Sequence, residues 1–182
     1  GVRFQNGRVW GNRNYGYFTE GQGGEQILSS TFWGNNRGAI GARRGVAVSN
    51  CILCATGAVP IYVELGAEAD IFGDYNMYNL AAGAVIATNS AKMVSYQKLN
   101  QWQAKGADGR SFIENPRFVA PTNGNFHLQS LAGYWSNGLW TAATQTSWAV
   151  DAGDPDVAPT NEPFPNGGRL NLGAYGNTDE AS

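Results

Sequence analysis

Glu64, Glu68, Asp70 and Asp74 are the clustered acids in the first half of this 182-residue chain. Glycoside hydrolysis needs two carboxylates about 5 to 9.5 Å apart. Glu68 and Asp70, two positions apart, would share one face of a strand. Asp74, followed by Tyr75 and Asn76, reads as a corner residue that hydrogen-bonds nearby backbone. A single histidine and few acids leave little to support a catalytic pair, so no catalytic residue is assigned.

Asp151, Asp154 and Asp156 offer clustered oxygen ligands of the kind calcium prefers, which makes calcium the one cofactor candidate. They lack the ordered D-x-D-x-D-G spacing with a distant glutamate, and Asp154-Pro155 reads as a turn. One His and two Cys argue against a zinc site. Cys51 and Cys54 form a C-x-x-C within an apolar stretch. On a strand they point to opposite faces, so a disulfide between them is disfavoured and both read as small buried hydrophobes. His127 alternates with Phe126 and Leu128, which predicts an outward, uncommitted ring. Glu162 and Arg169 are expected to pair and fasten the closing loop, a contribution below about 1 kcal/mol if exposed.

Aromatic residues are the other chemically suggestive group. Trp10, Trp33, Trp135 and Trp140 are the glycan-binding candidates. The C–H faces of sugar rings pack on aromatics while Asn and Gln read the hydroxyls. For Trp10 and Trp33 the competing expectation is packing within the fold.

Positioning these residues falls to a repeat. Gly7-Arg8-Val9-Trp10-Gly11-Asn12 aligns with Ser30-Thr31-Phe32-Trp33-Gly34-Asn35 at an offset of 23 residues. The segments Asn50–Ala55 and Asp74–Asn79 follow at offsets of 20 and 24. Short apolar strands with glycine-rich corners at this period fit a parallel β-solenoid, in which stacked coils bury one common column of side chains. Trp10, Trp33, Leu53 and Met77 are expected to stack in that column, and Asn12 and Asn35 to form a ladder. A β-sandwich is the alternative, but hairpin signals are scarce. The expected fold is all-β: a right-handed parallel β-helix of about four coils over residues 1–88. Residues 89–182 supply a short α-helix and a folded-back C-terminal cap of the same domain.

The second half carries the features behind that cap. Val94, Leu99 and Trp102 have helical spacing, with Ser95 as N-cap and Gly106 as terminator. After it come Ser111–Val119 with Pro116-Arg117-Phe118-Val119, Asn123-Gly124-Asn125-Phe126-His127-Leu128, Ala149–Asp154 and Gly173-Ala174-Tyr175-Gly176. Together with Asp74-Tyr75-Asn76, this motif order resembles the C-terminal portion of bacterial right-handed parallel β-helix proteins over roughly residues 70 to 182. That superfamily includes polysaccharide lyases, glycosidases, epimerases and non-catalytic surface proteins, so the resemblance speaks to fold more than activity. It implies that the closing segments cover the end of the solenoid. Residues 131–148, with their tryptophans, depart from its pattern. Lyases of this kind commonly use Lys or Arg as base. Here the coils offer only Arg37, Arg43 and Arg44, with no lysine before Lys92, and Arg43-Arg44 read as a solvated corner.

A formal net charge of −2 gives no basic footprint for nucleic acid, and no apolar run approaches the length of a membrane span. No leader is visible, and the chain reads as a piece of a longer one. Val2, Arg3 and Phe4 form an uncovered edge. It should pack on upstream coils, another protein chain or head-to-tail copies of this one, an arrangement that can build a filament. The expected function is a non-catalytic extracellular or cell-surface module, structural, adhesive or self-assembling, with a polysaccharide as candidate ligand. The alternative is the C-terminal segment of a β-helical polysaccharide lyase or glycosidase.

Overall fold

A computed structural model describes residues 1–136 and 138–182, so position 137 in the aromatic insertion lies outside the described residues. Each of four coils contributes three short strands. The first coil carries β1 (Arg3–Gln5), β2 (Arg8–Trp10) and β3 (Tyr15–Thr19). The second carries β4 (Glu25–Leu28), β5 (Thr31–Trp33) and β6 (Gly38–Ala42). The third carries β7 (Val46–Ser49), β8 (Ile52–Ala55) and β9 (Pro60–Glu64). The fourth carries β10 (Ile71–Asp74), β11 (Met77–Leu80) and β12 (Val85–Asn89). Equivalent strands pair in parallel, giving three ladders, β1-β4-β7-β10, β2-β5-β8-β11 and β3-β6-β9-β12. The fold is therefore an all-β parallel solenoid of about four coils.

The register corrects the repeat alignment. Arg8 pairs with Thr31, Thr31 with Ile52, and Ile52 with Met77. Trp10 stacks beside Trp33 as expected, but the next rungs of that column are Cys54 and Asn79. Leu53 stands in the column of Val9, Phe32 and Tyr78, and Met77 in that of Arg8, Thr31 and Ile52. The misalignment arose because the coils differ in length, and a shift of one residue exchanges the inward and outward faces of a strand.

The first corner of every coil follows one rule. Asn6, Ser29, Asn50 and Tyr75 stand there in left-handed backbone, with φ of 53°, 41°, 57° and 52°. The residue after each of them lies on the solenoid's inner side. There Gly7 N–H donates to Ser30 Oγ (3.1 Å), Cys51 N–H to Asn76 Oδ1 (2.9 Å), and Asn76 N–H to Ser111 Oγ (2.9 Å). Polar side chains thus satisfy backbone groups that the bend removes from the ladders. At the second corner, Asn12 Nδ2 donates to Asn35 Oδ1 (2.8 Å), the expected ladder.

Two apolar clusters result. The first fills the solenoid, with Ile27, Phe32, Ile40, Leu53, Ile61, Tyr62, Ile71, Tyr78 and Ile86 fully buried. The second lies outside it, between the outer face of the β2-β5-β8-β11 ladder and the C-terminal half, and includes Ile52, Cys54, Met77, Phe118, Phe126, Leu128 and Leu172. The two cysteines, both free, divide between them, Cys51 inside and Cys54 outside.

After the fourth coil the chain closes the solenoid. Strand β13 (Val94–Tyr96) pairs antiparallel with β12, helix α1 (Leu99–Gln103) follows, and β14 (Phe112–Ile113) continues the β11 ladder in parallel. Ser95 is therefore in a strand, and the helix starts later than its apolar spacing predicted. Lys98 is the N-cap, and Gln101 Oε1 accepts from the Lys98 N–H (3.0 Å). Trp102 is buried against Tyr62 and Tyr96. Its Nε1 donates to the buried Asp108 (2.6 Å), and Asp108 N–H in turn covers Gly73 O (2.7 Å). Beyond the fourth coil this polypeptide thus extends two of the ladders, β14 following β11 and β13 following β12, while β10 ends its ladder with only the Asp108 contact at Gly73. At the other pole β1, β2 and β3 have no outer partner among the described residues, and Phe4, Val9 and Tyr17 are only partly buried.

The helix and β14 lie at the end of the solenoid, and the remaining chain folds back from there. It runs back along the solenoid's flank. Strands β15 (Phe118–Ala120) and β16 (Asn125–Leu128) form one antiparallel pair, and β17 (Tyr134–Ser136) and β18 (Leu139–Thr141) a second. The terminal strap then crosses the coils in reverse order. Gly173 N–H donates to Asn50 O (2.9 Å), Ala174 N–H to Thr31 Oγ1 (3.0 Å), and Asn6 Nδ2 reaches Ala174 O and Gly176 O (3.0 and 2.8 Å). Gly173 permits the close approach. Its φ is +88°, and a Cβ there would stand 2.8 Å from Thr31 Oγ1.

This strap overturns two expectations. His127 is buried, not outward, because Tyr175 stacks on it with centroids 3.6 Å apart, while Nε2 lies 3.0 Å from Glu180 Oε2. Glu162 and Arg169 do not pair. Glu162 Oε1 accepts the N–H groups of Asn171 and Asn177 (2.7 and 2.8 Å), and Arg169 donates to the carbonyls of Ala152 and Gly153.

Candidate functional site

The four tryptophans named from sequence occupy two places. Trp10 and Trp33 adjoin on the outer face of the second ladder, where Phe126 of β16 packs against both, with centroids at 5.5 and 6.3 Å. Gly124, at φ +74°, sits beneath the Trp10 ring. These two indoles seat the folded-back strands, and Trp10 keeps 44% exposure. Trp135 and Trp140 are cross-strand neighbours of the β17–β18 hairpin, edge to face at 5.6 Å. Trp140 is 47% exposed and lines a small cleft of about 230 Å³ with Phe164.

A larger groove lies elsewhere, where the fourth coil's first corner faces the strap. It has a volume of about 720 Å³, and Tyr75, Arg110, Glu114, Trp148, Asp151 and Arg169 line it among others. Tyr75 is placed by the left-handed corner. Arg110 lies over its ring at 5.3 Å and is held to Asp74 by two contacts of 2.7 Å, one from its backbone and one from Nη1. Asp74 therefore serves the corner, as its sequence context predicted. Trp148, 62% exposed, forms an aromatic wall. Arg169 donates Nε and Nη2 to the carbonyls of Gly153 and Ala152, and its charge adds to the groove.

Asp151 differs from the other acids. It is half-buried in left-handed backbone, and no hydrogen bond among the described residues ends on its carboxylate. Burial raises its pKa above the ordinary carboxylate value, partly offset by Arg169. Asp154 instead caps its own turn, accepting from Asp156 N–H (3.0 Å), while its N–H donates to Asn50 Oδ1 (2.8 Å). Among the described residues, no group of three or more His, Cys, Asp or Glu is arranged to hold a metal ion.

The remaining chemical candidates are dispersed. Glu68 pairs with Arg44 and Glu20 with Arg43 at exposed corners, whereas Asp70 and the buried Glu64 share Lys105. Glu68 and Asp70 thus have separate partners. Uncovered edge residues at the open pole include Val2, which is exposed, and Phe4, whose ring is 6.3 Å from Phe32. Among the described residues no helix is long and apolar enough to cross a membrane. Sequence reasoning missed the groove because its walls come from segments about 35 and 75 residues beyond Tyr75. Trp148 and Asp151 were conspicuous individually, but nothing in their spacing placed them opposite Tyr75. No family model, curated protein or solved structure matches the chain.

Proposed function

We propose that this chain is a non-catalytic structural or adhesive β-solenoid module of the cell exterior, whose open pole docks on a parallel β-coil. One observation carries this reading: among the described residues β1, β2 and β3 all present unpaired outer edges, while at the opposite pole two of the three ladders are continued, β11 by β14 and β12 by β13. An uncovered ladder is a template for another strand. The covered pole leaves an identical copy, stacked head to tail, no matching three-sided ladder to join, which favours a coil of upstream sequence or of another chain as occupant. The exposed aromatics support a second, glycan-binding element of the same role. Resemblance to bacterial parallel β-helix proteins supports the extracellular placement.

The test is to fuse a copy of residues 24–45, the second coil, ahead of Gly1. Amide hydrogen exchange at β1, β2 and β3 is expected to slow markedly and the thermal midpoint to rise. Unchanged exchange at these strands in a folded fusion would refute docking. The alternative reading, a segment of a lyase or glycosidase, predicts unsaturated or reducing products from this chain or from the chain with its neighbours, measured on uronic-acid and neutral polysaccharides.

A further inference from the structure

The groove between Tyr75 and the strap has features that an apolar seam lacks. It combines an exposed indole, a phenol ring, two guanidinium groups, Arg110 and Arg169, and two carboxylates, Glu114 and Asp151. Its volume of about 720 Å³ falls in the range of small-ligand clefts and is small for a protein interface. Both walls are fixed. Arg110 is tied to Asp74 at the corner, and Asp151 N–H donates to Asn171 Oδ1 (2.8 Å) on the strap side. The cleft therefore exists before any ligand arrives.

We infer that this groove binds a neutral oligosaccharide, with a sugar ring on Trp148 and its hydroxyls donated to Asp151 and Glu114. The inference rests on the glycan-binding element of the function proposed above and is independent of docking at the open pole. Hydroxyls suit Asp151 because its half-buried carboxylate receives no hydrogen bond from the described residues. An acidic polymer suits the groove less well. Arg169 already donates Nε and Nη2 to backbone carbonyls and Arg110 donates Nη1 to Asp74, while the two lining carboxylates repel a uronate. The ring faces of hexoses complement the indole wall.

Isothermal titration with cellohexaose, mannohexaose and hexagalacturonate tests this in the whole chain. At least one neutral hexasaccharide should bind more tightly than hexagalacturonate. Trp148→Ala should weaken that binding by about tenfold or more, and Asp151→Asn by a similar factor. Met93→Ala, at an exposed residue outside the groove lining, should leave it unchanged. Trp148 is exposed, and unchanged circular dichroism and thermal midpoint would show that its variant folds. Preference for hexagalacturonate, or binding insensitive to both Trp148→Ala and Asp151→Asn, overturns the inference. Loss of neutral-glycan binding in Trp140→Ala alone overturns this groove but retains the glycan-binding element. No binding of any of the three sugars overturns both.

Discussion

Lys105 Nζ stands 2.8 Å from Oε1 of Glu64, whose side chain is fully buried. The lysine belongs to the segment that closes the solenoid, and the glutamate to the third coil. Glu64 also accepts from Ile71 N–H (3.0 Å) and Asn89 Nδ2 (2.8 Å), while Lys105 lies over the Trp102 ring at 4.0 Å. Removing the lysine charge strands a carboxylate in the interior. Lys105→Met is expected to cost about 3 kcal/mol in urea unfolding. Adding Glu64→Gln to it should recover part of the loss, because the double variant buries no unpaired charge.

Asp108 joins the cap to the last corner. Its Oδ2 accepts from Trp102 Nε1 (2.6 Å), and its Oδ1 from Ser111 Oγ (2.6 Å) and Asn76 Nδ2 (2.8 Å). Asp108→Ala deprives three buried donors of their acceptor. It should destabilise by about 3 kcal/mol or more in equilibrium denaturation. Trp102→Ala should act at the same joint, at about 3 to 5 kcal/mol.

The two thiols should be inert in the folded protein. Burial raises the Cys51 thiol to about 12 and pushes Cys54 upward as well. Thiolate is the reactive form. An aromatic disulfide reagent is expected to label neither cysteine under native conditions and both in guanidinium. Rapid native labelling of either would contradict their placement in two separate packed clusters.

His127 makes stability fall with acidity. Burial lowers its pKa from the ordinary value of 6.5, against an opposing pull from Glu180. Above that value the ring is neutral in both states, and its contribution is fully present. As pH falls below it, the unfolded chain takes up the proton first, so stability declines toward the folded value. The slope cannot exceed about 1.4 kcal/mol per pH unit. Denaturation at about pH 7.5 and about pH 5.5 should show a larger loss for the native chain than for His127→Gln. Asp151 and Glu162, raised mainly by burial, act oppositely in the acid range, and comparison with the variant cancels them.

Some of this molecule was legible in its residues. The period near 23, the Asn12–Asn35 ladder, the corner role of Asp74 and the burial of both cysteines follow from local pattern, since each needs only the stacking of one coil on the next. Leu53 stands one residue and Met77 two residues from the expected column because the coils vary in length, and such slips are invisible to spacing alone. His127 was misjudged for another reason. Its strand does alternate, but the outer face is roofed by Tyr175, nearly fifty residues further along. Trp148 and Asp151 were each visible as residues of interest. Their meeting with Tyr75 depends on the path of the strap, a long-range event that no short window encodes.

That path has a mechanical result. An array of stacked coils ordinarily frays from its ends, one unit at a time. Here Asn6 is buckled to Ala174 and Gly176, and Thr31 and Asn50 are laced by the same tail. The first coil cannot peel away unless the last residues let go. Melting therefore becomes a collective act of the whole girdled cylinder.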